Sequence, residues 1–78
     1  MTHTEQLTAY FGQHAGVSAA NTYRTLSRFD TTAKQLAQAI TGEPVKTLGV
    51  VYRLHSACFA LLTADEKRAD AEDLENMA

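Results

Sequence analysis

Apolar residues recur along this chain at helical spacing, and one window dominates the pattern. From Pro44 to Leu62 (PVKTLGVVYRLHSACFALL) polar residues are only scattered. On a helical period the window carries two adjacent apolar ridges. One is Val45, Leu48, Tyr52, His55, Phe59 and Leu62; the other is Val51, Leu54, Cys58 and Leu61. A helix apolar over so much of its circumference is normally enclosed by others. The pattern therefore predicts a central helix over about 44–62, with every other segment covering it.

Three further segments read as amphipathic helices. Leu7, Tyr10, Phe11 and His14 share one face over about 3–15, and Thr2 with Glu5 offers a capping box at its start. Gly16 suits the position just past that helix, where a positive φ costs glycine little, and Ser18 can cap the next helix. Ala19, Tyr23, Leu26, Phe29, Ala33, Leu36 and Ile40 then repeat at helical spacing, predicting one long helix over about 19–40. Asp30, Thr31 and Thr32 are better caps than helix interiors, so the alternative is a new helix starting at Asp30. Gly42 and Pro44 punctuate the chain, one past a helix end and one in the first turn of the next. That short link makes the second and third helices antiparallel neighbours. Thr63 and Glu66 repeat the capping-box pattern ahead of a last helix over about 64–77.

The expectation is an all-α fold, a compact four-helix, bundle-like single domain over residues 1–78 built on the helix 2–helix 3 antiparallel hairpin. Gly49 is a position where a neighbouring helix could approach closely.

Composition narrows the function classes. Seventy-eight residues lie near the lower limit for a self-sufficient core. Cys58 is the only cysteine, which excludes an internal disulfide and a multi-cysteine zinc site. Pairing as a homodimer is the remaining way to bury more apolar surface. The single thiol and an N-terminus without signal-peptide features point to a cytoplasmic protein. Lys46, Arg53 and His55 inside the central window argue against a membrane span.

Charge is unevenly spread within a net of −2. Residues 65–75 hold six acids against Lys67 and Arg68; the rest of the chain has five basic residues against three acids. The body is mildly basic and the last helix acidic, without the strong basic footprint of a dedicated nucleic-acid binder.

Catalytic signals are missing. His55 and Cys58, spaced i, i+3, could form half a metal site or a Cys–His pair, but nothing near them in sequence completes either. No Glu-x-x-His pair, phosphate-cradling glycine loop or Ser/His/Asp arrangement is present. The sequence thus predicts no catalytic residue, no metal and no cofactor. It reads as a non-enzymatic inhibitor or adaptor that occupies the surface of a larger protein complex. Stand-alone chains of this size include mobile-element proteins that block host defence complexes. The expected partner contacts are Tyr23, Arg24 and Arg28 on helix two, where Arg and Tyr are typical hot-spot residues, and Asp70 and Asp73 on the acidic helix.

The stretch Gly16–Phe29, GVSAANTYRTLSRF, resembles the turn and recognition helix of helix-turn-helix proteins, in which a Gly-Val-Ser turn precedes a helix bearing Thr, Arg and Leu. The resemblance implies a small DNA-binding regulator with Ser18, Asn21, Tyr23, Arg24 and Arg28 facing DNA, and with Gly12 where close helix contact is needed. Thr22 and Thr25 stand where that family usually places aliphatic residues. The same residues also have a purely structural reading: Gly16 ends a helix, Ser18 starts one, and Tyr23 and Leu26 enter the core.

Overall fold

The computed structural model describes residues 2–68. Its helices are α1 (His3–Gln13), α2 (Ala19–Leu26), α3 (Thr31–Thr41) and α4 (Leu48–Ala60). Residues 64–68 open a fifth helix, α5. The described residues contain no strand, so the all-α expectation holds with one helix more than the pattern predicts.

Caps set most of the boundaries. Thr2 Oγ1 accepts from the Glu5 N–H at 3.2 Å, and Glu5 Oε1 accepts from the Thr2 N–H at 3.3 Å, closing the box at α1. The Thr2 N–H holds the Glu5 carboxyl below its ordinary range. Ser18 Oγ accepts from the Asn21 N–H at 3.1 Å and starts α2. The Thr63–Glu66 box closes in the same way, at 3.2 and 2.9 Å.

Helix two is not continuous. Asp30 Oδ1 accepts from the Ala33 N–H at 3.1 Å and caps a separate helix, α3. The cap satisfies a first-turn N–H that the middle of a long helix would not need satisfied. Before it, Phe29 takes a φ of 47°, which breaks the helical path. The apolar stripe survives the break because α2 and α3 face one core, in which Leu26, Ala33, Ala37 and Ile40 are all buried.

Two other boundaries differ from expectation. Gly16 has no positive φ, and α1 ends instead at the His14 cap. Helix α4 begins at Leu48, not Pro44. Residues 44–47 form an extended strap across the end of α3, with the Val45 N–H donating to Gln38 Oε1 at 3.3 Å. Proline's fixed φ suits that strap as well as it suits a first helical turn. Gly42, in contrast, ends α3 in the left-handed conformation that its position predicts, at φ 73°.

Helix α4 is central, packing against α1, α2 and α3. Leu7, Leu26, Ala33, Ala37, Ile40, Val51, Leu54 and Cys58 form the core around it. Helix α2 rests on α4 and α3, while its contacts with α1 are slight. A Cβ at Gly12 would meet open space and one at Gly49 only the Thr47 hydroxyl at 3.7 Å, so neither is a close-approach point. No described helix is long and apolar enough to cross a membrane.

Candidate functional site

The two ridges of α4 have different fates. Val51, Leu54 and Cys58 are fully buried, whereas Tyr52 is 54% exposed and Phe59 38% exposed. Those two are the large apolar side chains that the described residues leave most open to solvent. A helix in a small domain can bury a stripe, not its whole circumference. Here the aromatic ridge lies at the margin of that stripe.

Rings from α2 and from the turn after it complete the margin. Tyr23 stacks on His55 with centroids 4.3 Å apart and planes 24° apart, and lies 5.6 Å from Phe59. Phe29 stacks on Tyr52 at 4.6 Å and 29°, and tilts against His55 at 5.0 Å. The result is a continuous file of rings in the order Tyr52, Phe29, His55, Tyr23, Phe59. Such contacts add about 0.5–1.5 kcal/mol per pair beyond burial. Lys67 of α5 sets its ammonium 5.3 Å from the Phe59 centroid, within cation–π range.

Hydrogen bonds fix the middle of the file. The Ser27 hydroxyl donates to the Tyr23 carbonyl at 2.8 Å and lies 2.9 Å from His55 Nε2. A shallow groove of ≈ 400 Å³ opens between Tyr23, His55, Ser56 and Phe59.

Phe29 is held under strain. A left-handed conformation costs a residue with a Cβ about 1–2 kcal/mol. It persists where the surroundings over-determine it. The Phe29 ring is held between Tyr52 and His55, its N–H donates to the Leu26 carbonyl at 3.2 Å, and the next residue caps α3.

Charged groups border the rings. Arg28 Nε donates to Asp30 Oδ2 at 3.1 Å, with the arginine side chain 60% exposed. The Ala33 N–H is the main cause holding the Asp30 carboxyl below its ordinary range, and Arg28 adds to it. Because only Nε of Arg28 is engaged, its two terminal amino groups meet no acceptor among the described residues. Arg24, one turn earlier, is exposed.

The residues expected to bind a partner are therefore only partly brought together. Tyr23 is half-buried within the ring file, and Arg24 and Arg28 stand beside it. Asp70 and Asp73 lie outside the described residues. Of the residues that the helix-turn-helix resemblance assigns to DNA, Ser18 uses its hydroxyl as the α2 cap, while Asn21 and Arg24 are exposed. Helix α2 has eight residues, and its contacts with α1 are slight. Thr22 is buried at a core-facing position, its hydroxyl donating to the Ser18 carbonyl at 2.9 Å, which removes the cost of a polar residue there.

His55 and Cys58 part company across the core edge. Cys58 Sγ donates to the Ala19 carbonyl at 3.3 Å, and its thiol is pushed up to about 11, by burial first and the nearby Glu66 charge second. A thiol so disposed is a packing group, not an activated nucleophile. No three His, Cys, Asp or Glu side chains gather as a metal site would require among the described residues. A second cleft of ≈ 240 Å³ lies by Tyr10, Val17, Thr25 and Leu36, but the Thr22 and Thr25 hydroxyls along it are already bonded to helix carbonyls.

Phe29 packs, half-buried, against the core, whereas Tyr52 and Phe59, placed by sequence reasoning on a core-facing ridge, stand more open. The signal that could have separated them was the presence of two ridges on one helix, one aliphatic and one aromatic. No protein-family model matches the chain, and no curated protein or solved structure shows a significant likeness to it.

Proposed function

We propose that this chain is a non-enzymatic binding protein, an inhibitor or adaptor, that docks on a larger protein through the aromatic file between α2 and α4. The observation that carries this reading is the strained Phe29, held so that its ring joins Tyr52 to His55 at the surface. Backbone strain of this kind concentrates at functional sites, and aromatic and arginine side chains supply most interface hot spots. A domain this small gains little by leaving Tyr52 and Phe59 open to water unless that surface is used.

A photo-crosslinking amino acid placed at Ser56, an exposed residue lining the groove, tests the reading in cells of the native host. The control position is Gln35, exposed on α3. The proposal expects one discrete protein adduct from position 56 and none from position 35. Adducts only from position 35, or none from either, would contradict it. Duplex DNA bound at low salt, with affinity falling steeply as salt rises, would favour the helix-turn-helix reading instead.

A further inference from the structure

We infer that the segment received by this face is acidic: a partner peptide that sets carboxylates against Arg24 and Arg28 and an apolar side chain in the groove beside Phe59. The inference rests on the docking role proposed above and adds the chemistry of the occupant. Arg24 and Arg28 are one turn apart and exposed, and Lys67 stands at the other end of the ring file. Two acids stand beside these cations and both are engaged: Glu66, next to Lys67, accepts from the Thr63 N–H, and Asp30 accepts from the Ala33 N–H and from Arg28 Nε.

That single bond orients the Arg28 guanidinium without consuming it. Its terminal amino groups form the pair of parallel donors that a carboxylate accepts in fork geometry. The Asp30 contact thus pre-positions Arg28 and lowers the ordering cost on binding. The rings favour a peptide over single-stranded nucleic acid. Bases need a succession of open aromatic faces to stack on, and here the middle of the file is closed, Tyr23 stacked on His55 and Phe29 on Tyr52, which leaves open only the Tyr52 and Phe59 ends.

The test is an amide-resolved NMR titration of the isotope-labelled full chain. The probes are a short peptide alternating glutamate with phenylalanine, the same peptide with glutamine for glutamate, and an oligothymidylate. The inference expects the acidic peptide to move the amides of residues 23–29 and 52–59, about tenfold more tightly than the glutamine peptide. High salt should abolish that preference, and Arg24→Glu with Arg28→Glu should remove it while the melting temperature holds. Equal affinity for the acidic and glutamine peptides would overturn the acidic class and leave the docking face standing. Tighter binding of the oligothymidylate would overturn both. If no probe moves these amides the acidic class falls, and the crosslink from position 56 decides the docking face separately.

Discussion

Two ridges of one helix, a single residue out of phase, divide the tasks of this molecule. Val51, Leu54 and Cys58 point into a core closed by Leu7, Leu26, Ala33, Ala37 and Ile40. Tyr52, His55 and Phe59 lie about 100° further round the helix and meet the rings of Tyr23 and Phe29, with Ser27 on His55 and Lys67 over Phe59. Between residues 51 and 59 both ridges are apolar, yet the aliphatic one is sealed and the aromatic one is left half open; past α4 the order reverses, Leu62 buried and Leu61 only partly so. The contrast shows that hydrophobicity alone does not mark a core. What seals a ridge is a neighbouring helix long enough to cover it, and α2 stops at Leu26.

The sharpest way to break the comparison is to truncate both ridges. Leu54→Ala removes a fully buried side chain and is expected to cost about 2–5 kcal/mol. A core of this size supplies roughly 3–5 kcal/mol in all, so a circular-dichroism melt should find this variant largely unfolded at room temperature. Tyr52→Ala removes one half-exposed ring and should cost about 1 kcal/mol, leaving a cooperative melt.

Phe29 gives a smaller and more diagnostic effect. Alanine at position 29 keeps the left-handed strain and loses the ring, while glycine loses the ring and the strain together. Phe29→Gly should therefore be more stable than Phe29→Ala by about 0.5–1 kcal/mol in urea unfolding. The reverse order would mean that the turn relaxes once the ring is gone.

The smallest effect is silent at neutral pH. Cys58 has its thiol raised from 9.0 to about 11 in the folded chain, so folding favours the protonated form. Stability should then decline as pH climbs from about 9 to about 11, and Cys58→Ala should lack that decline. Native Cys58 should also react with a thiol reagent only as fast as the chain opens. Asp30 works in the opposite sense: its carboxyl is held below 3.8, so its capping contribution is present above that value and lost as pH falls through the lowered one.

Much of the fold was legible because caps are local. The boxes at Thr2 and Thr63, the Ser18 cap and the left-handed Gly42 each need only a few neighbouring residues to declare themselves. The break at Asp30 was not, because periodicity records which face is apolar and not which way the chain runs. Two helices sharing a core preserve the stripe through a break between them. The same blindness hid the site. Tyr23, Arg24 and Arg28 were legible as an aromatic residue beside two arginines on one helix, but Tyr52 and Phe59 carry core-like side chains whose exposure depends on what covers that side of α4.

The central claim is that the aromatic ridge serves binding and the aliphatic ridge serves stability. One paired measurement tests it most directly: the thermal midpoint of Tyr52→Ala, and the adduct yield of the same variant carrying the crosslinker at Ser56. The account predicts a midpoint about 4–8 °C below that of the unmodified chain for a loss of about 1 kcal/mol, with the adduct abolished. A full adduct yield, or a midpoint that collapses as that of Leu54→Ala should, would contradict it.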